Sequence, residues 1–182
     1  MTDELEAFQR SGRMLQVATD LHRAAEILDR VRKESSDGKT IDDFTGTLHG
    51  SPILWAQSAE IALKALWYIG HGLEQDDPSR ADPLRSHNLT KLHDDLTKEV
   101  QKRLASEFPE IPDPVIPHFP IPYRKGLRAI LCEHETALVE WRYTYEHNGL
   151  RFEHVFTEVL TTVLKVGWDL HNQWILKLRH AT

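Results

Sequence analysis

Eleven histidines in a chain of 182 residues are the first chemical feature of this sequence, and their spacing decides which metal chemistries they could carry. A di-iron helical bundle needs Glu-x-x-His on facing helices, and no histidine here has Glu three residues before it. The zinc-protease pattern His-Glu-x-x-His is broken as well, because His134-Glu135 is followed by Leu138 where the second ligand should stand. His147 and His154 are seven residues apart and would share a face only if one helix ran through Asn148-Gly149. A site assembled from histidines distant in sequence stays open on spacing alone. No Gly-rich phosphate loop, Gly-x-Ser-x-Gly elbow or cysteine-nucleophile signature occurs. Cys132, the single cysteine, allows neither an intramolecular disulfide nor a Cys-clustered zinc site, and reads as a buried or half-buried small residue.

Almost everything that could position such side chains is helical. Met14, Val17, Leu21, Ala24, Leu28 and Val31 form a seam at helical spacing, which runs out in Ser35-Ser36-Asp37-Gly38. A second helix is expected to open at Ser51-Pro52, with proline in its first turn. It is apolar nearly all round, with Trp55, Ala59, Ala62, Leu66 and Ile69 on one stripe and Leu54, Ile61, Ala65 and Tyr68 on another. Gln57, Lys64 and His71, with Glu60 beside them, leave one slim wet strip. Such a helix belongs in the middle of a bundle. Gly70 and Gly72 end it, and 74–87 reads as an exposed loop.

A third helix is expected from Asn88 to Phe108 with Leu89, Leu92, Leu96, Val100 and Leu104 inward. Six of the nine prolines then fall between Pro109 and Pro122, interleaved with Ile111, Val115, Ile116, Phe119 and Ile121. That mixture reads as an extended strap packed on the bundle, over about 109–122. A fourth helix carries Leu127, Leu131, His134, Leu138, Trp141 and Tyr145 and stops near His147-Asn148-Gly149. The last, from Leu150 to Arg179, has Phe152, Phe156, Val159, Val163, Val166 and Leu170 on one face. Its second stripe, Leu164, Trp168, His171, Ile175 and Leu178, exceeds what one neighbour would cover and suggests a homodimer. The expected class is all-α: one domain over residues 1–182, an up-and-down bundle of four to five long helices with an inserted Pro-rich strap.

Two segments carry a resemblance. Ser58-Ala59-Glu60-Ile61-Ala62-Leu63-Lys64-Ala65-Leu66, followed by Ser86-His87-Asn88-Leu89-Thr90-Lys91-Leu92, resembles the second and third helices of HEPN domains. These are compact helical modules of prokaryotic toxin–antitoxin and antiviral systems and of some eukaryotic RNA-processing proteins. Leu138-Val139-Glu140-Trp141-Arg142-Tyr143-Thr144-Tyr145-Glu146-His147 is similar to the Arg-Tyr region before the last helix of that family. The resemblance spans roughly residues 13–178 in order and spacing.

It implies an RNA-targeting protein of toxin or defence type, a homodimer in the cytoplasm, with RNA and a cognate antitoxin or other protein as partners. Catalytic members carry Arg-x(4–6)-His and cleave RNA at a dimer interface without metal or other cofactor. Three pairs fit that spacing: Arg142 with His147, Arg128 with His134, and Arg80 with His87. Only Arg142/His147 falls in the Arg-Tyr segment, so the resemblance assigns the catalytic role to Arg142 and His147. Attack by the RNA's own 2′-hydroxyl needs a proton donor or acceptor near neutral pH and a cation for the phosphorane charge. Histidine supplies the first and arginine the second.

The other reading is a non-catalytic HEPN-like binding or scaffold module for a protein or nucleotide. Tyr143 stands where active members usually carry a polar residue. In that case Glu60 pairs with Arg142, since a buried cation requires a partner. The remaining candidates read as structural. His87 caps or orients the third helix, His134 is a satisfied core histidine, His71 is solvated, and Trp55, Trp67, Trp141 and Trp168 are core.

Charge and composition set the outer limits. Twenty-two basic against 28 acidic residues give a net charge of −6, which excludes a uniformly basic nucleic-acid binder while leaving room for a local basic cleft. A hydrophobic content of 40% argues against wholesale disorder. With no apolar run after Met1-Thr2-Asp3-Glu4 and no uncharged stretch of membrane-spanning length, neither secretion nor membrane insertion is expected.

Overall fold

The computed structural model describes residues 2–35, 41–72, 85–108, 111–112, 124–135 and 155–180. Among them six helices carry the architecture: α1 (Thr2–Ser35), α2 (Ile41–His71), α3 (Leu89–Asp94), α4 (Lys98–Glu107), α5 (Leu127–Glu133) and α6 (Val155–His180). The two-residue strands β1 (Ile111–Pro112) and β2 (Arg124–Lys125) pair antiparallel, with Ile111 opposite Lys125 and Pro112 opposite Arg124. The class is all-α, as its periodicity requires. The ladder ties the two ends of the Pro-rich segment together; 113–123, and hence the body of the expected strap, lie outside the described residues.

Helix α1 packs antiparallel to α2 over most of its length. Leu28 meets Gly50, the Ser58 hydroxyl donates to the Ala18 carbonyl at 2.6 Å, and the Arg10 guanidinium lies 5.2 Å from the centre of the Tyr68 ring. The seam expected on α1 is not the buried line. Val17 and Val31 are exposed, Met14, Leu21, Ala24 and Leu28 are half-buried, and the fully buried positions are Ala7, Ser11, Leu15, Ala18 and Ala25. The physical reason is close approach. Where two helices touch nearly backbone to backbone, small side chains take the contact line and the larger ones are pushed to its flanks.

Helix α2 lies at the centre of the core, as its all-round apolar pattern requires: Trp55, Ala56, Ala59, Ala62, Leu63, Ala65, Leu66, Trp67 and Tyr68 are all buried. It begins at Ile41, so Pro52 is an interior residue and not the first-turn proline expected. An interior proline forfeits one backbone bond, and here the helical backbone continues on both sides of it. The C-terminus matches expectation. Gly72 takes the left-handed conformation, φ 61°, and its N–H donates to the Tyr68 carbonyl at 2.9 Å.

The single third helix expected is two. Thr97 caps α4 by accepting from the Val100 N–H, and the break leaves carbonyls at the end of α3 without helical partners. The Gln101 side-chain amide fills that need, donating to the carbonyls of His93, Asp94 and Leu96 at 3.0–3.1 Å. Leu89, Leu92, Leu96, Val100 and Leu104 are nevertheless all buried, because the break preserves the inward face.

Helix α6 runs antiparallel to α1 and closes the core with Phe156, Val159, Leu160, Val163 and Val166. Part of its second stripe is covered by α1 of the same chain. Trp168 donates to the Thr19 hydroxyl at 3.1 Å, and the buried His171 ring stacks on Phe8 at 4.2 Å between centres. The Trp168–His171 part of the face from which the sequence suggested a dimer is therefore used by α1, while Ile175 and Leu178 are half-buried. Gly167 makes the approach possible, since a methyl group there would stand 2.6 Å from Leu15 Cδ2.

Candidate functional site

An apolar helix at the centre of a bundle has little reason to carry a carboxylate, yet Glu60 lies midway along α2 with only 8% of its side chain exposed. Both its oxygens are engaged by cationic or protonatable groups. Lys64 Nζ donates to Oε1 at 2.7 Å from one turn further along the same helix, the favoured order for such a pair. His87 Nδ1 meets Oε2 at 2.9 Å from the segment leading into α3. Lys64 is itself 13% exposed, whereas 57% of His87 faces solvent. The strip read as wet is thus mostly sheltered, with Gln57, Lys64 and His71 half-buried and Glu60 buried.

Local hydrogen bonds fix the segment that carries His87. The Asn88 N–H donates to the Ser86 hydroxyl at 3.1 Å, and Asn88 Oδ1 accepts from the Lys91 N–H at 2.8 Å. Asn88, not His87, therefore caps α3; His87 is turned back onto α2. A carboxylate can only accept, so Nδ1 carries the proton in this contact and Nε2 is the ring nitrogen that Glu60 does not engage. Nε2 has no hydrogen-bond partner among the described residues.

The second Arg/His pair of that spacing is dismantled by the fold. Arg128 makes a two-pronged bond to Asp94, Nε to Oδ1 at 2.8 Å and Nη2 to Oδ2 at 2.6 Å, tying α5 to α3. This guanidinium holds the Asp94 carboxyl down at about 2. His134 is buried, with Nδ1 2.9 Å from the Ile130 carbonyl and its ring 4.8 Å from that of Phe156, the satisfied core histidine expected. His71 is less solvated than expected: its ring stacks on Trp67 at 4.5 Å and Nδ1 meets the Trp67 carbonyl at 3.0 Å. Cys132 is exposed, contrary to the buried or half-buried expectation, because α5 turns Ile130 and Leu131 inward instead. Trp55 and Trp67 are core, and Trp168 is half-buried.

Three other rings, two buried and one (His22) half-buried, have their protonation disfavoured. Burial lowers the pKa of His22, His93 and His171, against the partial opposition of Glu26 at the first and Asp94 at the second.

Arg142, His147 and Trp141 lie within 136–154 and Arg80 within 73–84, all outside the described residues. The last described residue before them is Glu135, whose carbonyl accepts from the Leu89 N–H at 3.1 Å at the start of α3. Among the described residues Glu60 is met by the Lys64 ammonium and the His87 ring, although each oxygen keeps a second lone pair for a further donor. Among the described residues no group of three or more His, Cys, Asp or Glu could hold a metal ion. No helix among them is long and apolar enough to cross a membrane.

Sequence spacing gave no hint that Glu60 and His87 would meet, since 27 residues separate them. The signal that could have found the pair is the lone acid on an otherwise apolar helix, which must find a partner somewhere. No protein-family model, curated protein or solved structure matches this chain.

Proposed function

We propose that this chain is a HEPN-like RNA-targeting protein of toxin or defence type, a metal-independent endoribonuclease that works as a homodimer. Arg142 stabilises the phosphorane charge and His147 moves a proton at the scissile phosphate. The observation that carries the reading is the contact between the two segments quoted for the resemblance. Glu60, from the first segment on α2, holds His87, from the second ahead of α3. Two further features support it. The bundle is all-α with α2 at its centre, and the chain leaves toward Arg142 from Glu135, bonded to the first residue of α3.

The chemistry needs no metal. The 2′-hydroxyl is the nucleophile, so the products carry 2′,3′-cyclic phosphate and 5′-hydroxyl ends. A negative net charge does not oppose this, since only the cleft must attract phosphate. Dimerisation would bring two copies of the Arg142–His147 segment to one cleft.

The test is incubation of the purified protein with total RNA in EDTA. Cleavage with cyclic phosphate ends is expected, with His147→Ala slower by about 10²–10⁴-fold, the scale of a positioned general acid or base. Arg142→Lys should fail too, because a point charge does not replace the planar fork. His134→Ala, whose ring is packed in the core, is the control for destabilisation: equal loss in both histidine variants would sink the assignment. A folded wild type that cleaves none of a varied set of RNAs would establish the non-catalytic binding module in its place.

A further inference from the structure

The fold leaves one sequence pattern without a use. Met14, Val17, Leu21, Ala24, Leu28 and Val31 repeat at 3-4-3-4-3 spacing, the pattern of a helix that packs along one seam against another helix. Within the chain, however, α1 buries a different line, through Ala7, Ser11, Leu15, Ala18 and Ala25. We infer that the unused seam is the self-association face of this protein, and that its occupant is α1 of a second copy running antiparallel. The inference rests on the homodimer in the proposed function, not on its cleavage chemistry, and it places the dimer face on α1 in place of α6.

The first support is exposure. Val17 is 48% exposed, Val31 38% and the adjoining Ile27 57%, while Met14, Leu21, Ala24 and Leu28 are half-buried. Of the five large hydrophobic residues exposed among those described, these three share one flank of α1, which makes a patch of them instead of scattered singles. In the register set by Ala18 against Ser58 and Leu28 against Gly50, the half-buried Leu54 of α2 falls level with the middle of the seam.

The second is self-complementarity, which a two-fold contact demands. Turned end for end on itself, the seam sets Met14 against Val31 of the second copy, Val17 against Leu28, and Leu21 against Ala24. In the central layer a large side chain therefore meets a small one.

The third is charge and direction. In the same register Arg13 of each copy falls beside Glu34 of the other, both of them exposed, so an opposite-charge pair closes each end of the contact. Asp20, between them on that edge, falls beside Ile27 and meets no second carboxylate. A parallel pairing is blocked. It would set the Arg13 edge of one seam against the Ala18–Ala25 edge of the other, and those two alanines are fully buried, with α2 lying across Ala18.

Sedimentation equilibrium of the full chain over about a hundredfold range of concentration tests the inference, with circular dichroism on every variant. The wild type should show a monomer–dimer equilibrium. Val17→Asp, at a half-exposed site, should keep the fold and weaken the dimer by about a hundredfold or more, because the contact would bury a carboxylate. Arg13→Glu and Glu34→Arg should each weaken it by about tenfold, and the double reversal should restore it to within about threefold of wild type. A double reversal that restores nothing would overturn the antiparallel register. A dimer that Val17→Asp leaves intact would overturn the α1 face; if Ile175→Asp on α6 dissolved it instead, the homodimer itself would stand. A wild type that is monomeric at every concentration would overturn the inference and the homodimer together, while RNA cleavage in EDTA would still report on the nuclease chemistry separately.

Discussion

Two histidines, His87 and His171, hold the helices together by opposite means. His171 is enclosed: its ring lies flat on Phe8 with 7° between planes, Trp168 and Trp174 stand edge-on around this pair, and Gly12 closes the far side. Its polar contact is neutral. The Ser11 hydroxyl already donates to the Phe8 carbonyl at 2.9 Å, so the 3.3 Å contact with His171 Nδ1 has the ring N–H donating to Ser11 Oγ. His87 has the reverse surroundings, solvent on one side and a buried carboxylate on the other. Without a carboxylate, burial makes an imidazole into a flat, neutral packing piece. With a carboxylate behind it and water in front, the same ring stays polar and open to solvent.

The largest expected effect is on the carboxylate side. Glu60→Ala leaves the Lys64 ammonium sheltered without its counter-charge, and one-sided removal of a buried pair costs about 3–5 kcal/mol. Urea unfolding measures it; a loss under about 1 kcal/mol would mean that Lys64 reaches water freely and that the two regions do not differ as described.

On the enclosed side steric fit dominates. A Cβ at Gly12 would stand 2.9 Å from His171 Cε1 and Nε2, and that ring is pinned by Phe8. Overpacking costs about 1–3 kcal/mol, partly offset by the helix propensity gained from glycine to alanine. Gly12→Ala is therefore expected to lose roughly 1–2 kcal/mol in the same measurement. A stabilised variant would show that the seam is loose.

The smallest effect is a pH dependence. Burial puts the folded-state pKa of His171 below its ordinary value of 6.5, so the unfolded chain takes up the proton first. Stability from this group is complete above 6.5 and is lost as pH falls through that value toward the folded pKa. His22 and His93 shift the same way and add to the same limb. Urea midpoints measured from about pH 8 down to about pH 5 should fall, and His171→Gln should fall less steeply than wild type. Parallel slopes would mean that the His171 ring is hydrated in solution.

The central place of α2 could be read without coordinates, because Leu54 to Ile69 offers no polar face wide enough to meet water. The burial of His134 and the inward leucines of α3 and α4 followed from spacing in the same way. The α1 contact line did not. Hydropathy ranks Val17 and Val31 above Ser11 and Ala18, whereas close helix contact ranks side chains by how little room they take. The break at Thr97 was also missed, although Asn88 and Thr97 are both preferred capping residues. The signal was present but the continuous leucine pattern outweighed it. As for the candidate site, the expectation of Arg142 and His147 came from a resemblance and both lie outside the described residues, whereas the Glu60–His87 contact came from the fold alone.

By itself the sequence determined the all-α class, the buried central helix, the glycine stop at Gly72 and the inward faces of α3, α4 and α6. These depend on periodicity and local backbone preference, which act within a few turns of chain. Only the tertiary structure decided which face of α1 is buried, that α1 packs on Trp168 and His171 of α6, and that Glu60 closes on His87 across 27 residues. Those outcomes depend on how closely two helices approach and on where a buried charge finds its partner. Both are set by packing between elements, and no local pattern of residues encodes them.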